Sequence, residues 1–208
     1  MPNHVYSRLI LSGEQTQIDD FINGSKAINE KGEECFDFTK HCPMPEELVG
    51  TSSPPKIVSN EELLIRLEDM KNDPIKKMMG RPITQEQSDS LIRKYGCNDW
   101  YNWANKHWGT KWGCYSIEST ESPNEFLFQT AWSPATPMWK QISQKFPDVK
   151  FQTFVVDEGG GFTCEFIYEK GNCEGFDYTG EDKKPIYDKV AYPHYFYDNY
   201  NEDDDEEE

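Results

Sequence analysis

The stretch EFLFQTAWSPATPMWKQISQKFPDVKFQTFVVDEGGGFTCEFIYEK, Glu125 to Lys170, holds the patterns that decide the fold. Glu125 to Ser133 alternates, with Phe126, Phe128, Thr130 and Trp132 on one face, as a half-buried strand requires. Thr136 then offers an N-cap and Pro137 the first helical position. Met138, Trp139, Ile142 and Phe146 fall on one side of the helix that follows, and Pro147 stops it. Val149 to Asp157 and Phe162 to Glu169 read as two strands joined by Glu158-Gly159-Gly160-Gly161. Upstream, Gly113 to Ser119 alternates weakly, and Pro123-Asn124 suits the turn of a hairpin. Downstream, the turn at Lys170-Gly171-Asn172 leads to a short strand, Glu174 to Tyr178. The C-terminal half therefore reads β-β-α-β-β.

Working back toward the N-terminus, Val5 to Ser12 reads as a strand covered in part on both faces. Glu14 to Asn23 carries Ile18, Phe21 and Ile22 at helical spacing, with Gly24 as its C-cap. A second strand is expected over Cys35 to Thr39. Residues 50 to 59 form a loop, after which Ser59 or Asn60 caps a helix with Leu63, Leu64, Leu67 and Met70 along one side. Lys76 to Arg81 reads as a basic, solvated loop. Thr84 and Gln87 form a capping box for a helix that turns Leu91 and Ile92 inward. Gly96 ends that helix and Asn98 caps the next, in which Trp100, Trp103, Ala104 and His107 share one stripe with Trp108 at its edge. A stripe at helical spacing is read as a face packed on the sheet.

These elements predict an α+β fold. It is a ferredoxin-like antiparallel sheet with helices packed on one face and a helical insertion. One domain spans residues 1–186, with the insertion at about 56–110. A tail at 187–208 is rich in tyrosine and then acidic, and its polyacidic end reads as disordered.

The formal net charge is −17, and the seven residues from Glu202 to Glu208 are all acidic; without them the chain still carries −10. Such a field repels nucleic acid and anionic membrane and favours basic protein partners. No apolar run approaches a membrane span. The opening MPNHVYSRLILSG lacks the pattern of a signal peptide, so the six cysteines are read as reduced thiols. No C-x-x-C pair occurs and the four histidines are scattered, so no metal site is expected.

Few residues carry chemistry. The run Gly159 to Gly161 lies between two strands and lacks the Lys-Ser/Thr of a phosphate loop, so it reads as a hairpin turn. His41 and Cys42 are adjacent in sequence, which on a strand would send their side chains to opposite faces. Asp157 and Glu158 read as a solvated turn, and His107 as a helix-end histidine. No catalytic residue, cofactor or metal ligand is assigned. Trp108, Lys111, Trp112 and Trp132 are the candidates for a ligand cleft, and Glu202, Asp203, Asp204, Asp205, Glu206, Glu207 and Glu208 for an electrostatic arm that meets a partner.

The order of motifs is itself informative. MPNHVYSRLILSG, FDFTKHCPMPEEL (Phe36 to Leu48), WYNWANKHWGTKWG, FQTAWSPATP (Phe128 to Pro137), KFPDVKF (Lys145 to Phe151) and the EGGGF hairpin follow one another. Together they resemble the phage- and plasmid-borne Api-like family with a YubB-type ferredoxin-like domain, over roughly residues 1 to 175. The chain has Ala135 where that pattern has a second proline, and His near residue 4 where it has Trp. The resemblance implies a mobile-element protein in the bacterial cytoplasm, and it brings no reaction. Two functions are expected. The first is a non-enzymatic, acidic protein that, in the manner of a DNA mimic, binds and inhibits a basic host nucleic-acid-handling or defence complex, with no direct contact to nucleic acid or membrane. The alternative is a nucleotide-type ligand binder that uses the tryptophan cleft.

Overall fold

The computed structural model describes residues 3–192, apart from the side chain of Asn72. Strand β1 (His4–Gly13) is followed by helix α1 (Gln15–Ser25), whose first turn is capped by the Glu14 carboxylate on the Gln17 amide. Then come two short strands, β2 (Lys26–Ile28) and β3 (Glu34–Phe36), a 3₁₀ turn (Phe38–His41), and helices α2 (Asn60–Asn72), α3 (Pro74–Met78), α4 (Gln85–Tyr95) and α5 (Trp100–His107). The chain returns to strands with β4 (Tyr115–Ser119) and β5 (Glu125–Ala131). It continues through α6 (Thr136–Lys145), β6 (Val149–Asp157), β7 (Thr163–Glu169) and β8 (Asn172–Asp177), and reaches α7 (Lys184–Lys189).

The main sheet has the order β4-β5-β1-β6-β7-β8, and every neighbouring pair is antiparallel. β4 and β1 both run antiparallel to β5, so they are parallel to each other with β5 between them. β5 and β6 flank β1 in the same way. Two split β-α-β units therefore interlock: one runs β1-α1 to β4 around β5, the other β5-α6-β6 around β1. This is the ferredoxin-like arrangement. β7 and β8 extend the sheet at the β6 edge as a meander. The register is fixed by burial: Val5, Ser7, Leu9 and Leu11 alternate inward along β1, and a one-residue slip would turn all four outward.

α1 and α6 cover one face of the sheet. Ile18 and Phe21 of α1 and Met138, Trp139 and Ile142 of α6 close on Leu9, Phe126, Phe128, Phe151 and Tyr168. Trp139 is the largest fully buried side chain and sits among the rings of Phe38, Phe128, Phe151 and Tyr168. The opposite face is covered over β1 and β6 by α7. There Ile186, Val190 and Tyr192 pack on Phe154, Val156, Tyr6 and Ile10. The packed body thus reaches Tyr192, past the point at Tyr187 where the sequence suggested a tail. Tyr195, Phe196, Tyr197, Tyr200 and the acidic run Glu202 to Glu208 lie outside the described residues.

The segment between α1 and β4 is larger than the helical pattern suggested. Its helices lie within 60–107, but it opens with the β2–β3 hairpin. It has a core of its own, built from Leu48, Ile83, Leu91, Cys97 and Trp103. Several expectations change here. α1 runs to Ser25, and Gly24 is not its cap: a Cβ there would lie 2.8 Å from Cε1 of His41. The strand expected over Cys35 to Thr39 stops at Phe36, because the Asp37 carboxylate caps a 3₁₀ turn that buries Phe38. Asp99, not Asn98, caps α5, through the amides of Tyr101 and Asn102. Part of the expected basic loop is helix α3, because Asp73 caps it and Pro74 occupies its first turn. Leu64 and Ile92, expected inside, are exposed.

Candidate functional site

The tryptophan helix packs on the core of the insertion, not on the sheet. Trp103 is buried there, and the imidazole of His107 stacks on it at 4.6 Å. Trp100 is half-buried beside Tyr101. Trp108 bridges the two cores: its indole Nε1–H donates to the Cys42 carbonyl at 2.8 Å and its ring meets Trp103 edge-on. Trp108 is therefore a packing residue and not a wall of the cleft.

The other three candidates meet. The Lys111 ammonium lies over the Trp112 ring, 4.6 Å from its centroid, and over the Trp132 ring at 5.4 Å. Both indoles are exposed, at 40% and 44%. A lysine between two indole faces is held by the negative quadrupole of each ring.

The segments that carry these residues are stitched together by small groups. Thr110 is buried; its hydroxyl donates to the Ala131 carbonyl at 2.7 Å and accepts from the Ala131 amide at 3.1 Å. The Ser133 hydroxyl donates to the Gly109 carbonyl. Gly109 has a φ of +78°, and a Cβ there would lie 2.3 Å from Cδ of Pro137. The blocks WGTKW and AWSPATP thus form one structural unit. β5 ends at Ala131, and Trp132 takes a φ of +67°, with its amide donating to the Asn3 carbonyl at 3.0 Å. That left-handed backbone swings Trp132 out of the inward register expected for it. An indole in this region costs roughly 1–2 kcal/mol, and such outliers concentrate at functional sites. Ala135 also sits at a φ of +56°, at the start of α6. Proline is locked near −65° and could not adopt it.

Below Trp112 lies a polar network that the sequence did not reveal. Tyr115 meets Trp112 edge-on at 6.1 Å and His4 at 5.8 Å. The Tyr115 hydroxyl contacts the Thr130 carbonyl at 3.0 Å and His4 Nδ1 at 2.8 Å. The carbonyl can only accept, so it takes the phenol hydrogen, and Nδ1–H of His4 supplies the other bond. The His4 amide donates to Glu158 Oε2 at 2.7 Å, and the Glu158 amide returns to the His4 carbonyl at 2.8 Å. Burial, with the Glu158 carboxylate adding to it, pushes the Tyr115 phenol up to about 12. His4, Tyr115 and Glu158 come from three distant parts of the chain. Only the pairing of β1 between β5 and β6 brings them together.

The remaining polar candidates are committed elsewhere. Asp157 Oδ2 accepts from the amides of Gly159 and Gly161 at 3.1 and 3.0 Å, so the glycine run is a turn between β6 and β7 tied down by its own carboxylate. His41 stacks on Phe21 at 4.8 Å, and its Nε2 contacts Ser25 and the Phe21 carbonyl, not Cys42. Burial lowers its pKa and raises the Cys42 thiol to about 11. A buried, protonated thiol is a poor nucleophile. His41 and His107 pack on Phe21 and Trp103, while Asp157 and Glu158 hold the turn amides and the His4 amide, so the histidines and the carboxylates have different partners. Among the described residues no group of three or more His, Cys, Asp or Glu side chains could hold a metal. No helix among them is long and apolar enough to cross a membrane.

Fold and site together define an α+β protein of the ferredoxin-like class, with an aromatic–lysine cluster at one end of its sheet. Residues 111–204 match a family model described as the ferredoxin-like domain in Api92-like protein. The matched region begins at Lys111 and takes in Trp112, Tyr115 and Trp132. Among solved structures, the chain is similar to a protein Api92 from Yersinia pseudotuberculosis at 10% identity and a TM-score of 0.44, covering 86% of this chain and 99% of that one. No curated protein matches.

Proposed function

We propose that this chain is a binding protein that uses Trp112, Lys111 and Trp132 to hold a planar, anionic small ligand of nucleotide type. The observation that carries this reading is the Lys111 ammonium at 4.6 and 5.4 Å from two exposed indoles. An aromatic base stacked on an indole gains about 1–3 kcal/mol. A phosphate would give Lys111 a charge-assisted partner stronger than a ring face. The surrounding negative charge disfavours a nucleic-acid strand but leaves room for a ligand with few charges. Titration with ATP, GTP and cyclic dinucleotides, followed by tryptophan fluorescence, tests the reading. Saturable quenching, weakened about tenfold or more by Lys111→Ala, is expected. A flat response across the panel would rule it out.

The second reading rests on the net charge of −17. On it, the chain is a mobile-element protein of the bacterial cytoplasm whose carboxylates, with Glu202 to Glu208 as an accessory arm, occupy the basic channel of a nucleic-acid-handling or defence complex. The resemblance to the phage- and plasmid-borne family supports that origin. Capture of a basic, nucleic-acid-binding protein at low salt and its release at high salt is the expected result; capture that ignores salt contradicts it. The two readings separate cleanly. Lys111→Ala weakens the first activity and spares the second, and truncation before Glu202 weakens the second alone.

A further inference from the structure

β4 ends the main sheet on one side, and the β2–β3 hairpin stands beside it as a separate sheet. The pairing pattern shows what the edge of β4 offers. The Thr120 amide donates to the Glu125 carbonyl at 3.1 Å. Ser119, one residue back and opposite Phe126, therefore turns its own N–H and C=O away from β5. On the hairpin, the Asn29 amide donates to the Glu33 carbonyl and the Asp37 amide to the Ser25 carbonyl. By the same alternation, Glu34 and Phe36 turn their main-chain groups away from β2. Among the described residues no main-chain hydrogen bond joins β3 to β4. A groove of about 570 Å³ lies between β4 and the hairpin instead.

Ala27, Ile28, Cys35, Phe36 and Ile117 give the groove its apolar lining, and Ile28 is 64% exposed. Its charged lining is Lys26, Glu34 and Glu118, none of which has an ion pair among the described residues. Over residues 26–36 and 115–121 together, five carboxylates stand against two cations. The local field thus has the same sign as the −17 of the whole chain. Along β4, Ile117 packs on the main core and Glu118 beside it is exposed. The exposed carboxylate and the bulge between Tyr115 and Glu118 guard this edge against a second copy, which would bring like charges together.

We infer that the β4 edge is a docking site for an extended segment of a partner protein in which basic and apolar residues alternate. Main-chain pairing with Ser119 would add a strand to the sheet. Successive side chains of that strand point to opposite faces. The apolar ones would lie against Ile28, Phe36 and Ile117, and the basic ones would meet Glu118, with Glu34 adding to the attraction. The inference shares the acidic field of the second reading above, but it needs neither the acidic tail nor a nucleic-acid-handling partner.

The probe is a fluorescein-labelled peptide in which lysine and valine alternate. A second peptide has the same residues grouped into a lysine block and a valine block, and a third carries glutamates in place of the lysines. Fluorescence anisotropy with the full chain is expected to show saturable binding of the alternating lysine peptide, about tenfold or more weaker binding of the block peptide and none of the glutamate peptide. Ser119→Pro removes a donor that β5 does not use, at an edge position where proline is tolerated, and is expected to weaken binding about tenfold. Glu34→Lys with Glu118→Lys is expected to weaken it as much. Circular dichroism checks that the variants fold; should Ser119→Pro not fold, the block peptide and the charge variant still decide. Failure to bind, equal binding of the block peptide, or indifference to a folded Ser119→Pro would overturn the inference and leave only general attraction to an acidic chain. Self-association of the free protein that Ser119→Pro abolishes would overturn it too, and would assign the edge to a second copy.

Discussion

Trp132 and Trp139 are seven positions apart and do opposite work. Trp139 is fully buried among four rings, so Trp139→Ala is expected to cost about 3–5 kcal/mol in urea unfolding. Trp132 is exposed on a left-handed backbone, so Trp132→Gly is expected to leave stability unchanged or raise it by up to about 1 kcal/mol while removing ligand binding. A large loss of stability from Trp132→Gly would mean that the indole is there for packing. Gly109 is the counterpart in the backbone. With its φ at +78° and Pro137 2.3 Å from the position of a Cβ, Gly109→Ala is expected to destabilise the fold by about 1–3 kcal/mol. Tyr115 gives a pH signature. Its phenol is raised from the ordinary 10.0 to about 12, so folding favours the neutral form. That contribution is complete below pH 10 and is lost as pH rises through 12. Tyr115→Phe is therefore expected to reduce the fall in the urea midpoint between pH 10 and 12; the full fall would persist if Tyr115 were open to solvent.

At the scale of elements, the short segments that link the helices do much of the positioning. The 3₁₀ turn brings His41 onto α1, where Gly24 leaves room for its ring. Burial lowers the His41 pKa below the ordinary 6.5, and burial lowers that of His107 as well. Both histidines thus contribute stability that is present above pH 6.5 and is lost as pH falls through their lowered values. A lower urea midpoint at pH 5 than at pH 7.5, with the difference reduced in His41→Gln, is the expected result. The elements themselves were largely legible in the sequence. The capping box at Thr84 and Gln87, the alternation of β5 and the proline at the start of α6 all rest on local chemistry, which a sequence states openly; the expected N-cap of α6 does not hold, since Ala135 takes that place with no side-chain hydrogen bond and the Thr136 hydroxyl pairs with Tyr168. The left-handed turn at Trp132 is set by Asn3 and by the buried Thr110, both distant in sequence, so local alternation put that indole on the wrong side. The tryptophan stripe of α5 packs on the insertion core and not on the sheet, because periodicity shows that a face is buried but not against what.

At the scale of the molecule, two interlocked β-α-β units bring Lys111, Trp112, Trp132, His4 and Glu158 to one end of a sheet. Lys111, Trp112 and Trp132 could be named from sequence because exposed aromatics and a lysine cluster near one another in the motifs. His4, Tyr115 and Glu158 could not, since they become neighbours only when β1 inserts between β5 and β6. Sequence proximity alone places Trp108 with the cleft, and its hydrogen bond to the Cys42 carbonyl takes it into the core. The central claim is that the exposed pair of indoles around Lys111 is where this protein binds. The most direct test follows the indole N–H signals of all six tryptophans by NMR during titration with a nucleotide panel. The account predicts that Trp112 and Trp132 shift together and saturate, that Trp103, Trp108 and Trp139 stay in place, and that Lys111→Ala moves the titration to about tenfold or more higher ligand concentration. Unmoved Trp112 and Trp132 signals across the panel would contradict it.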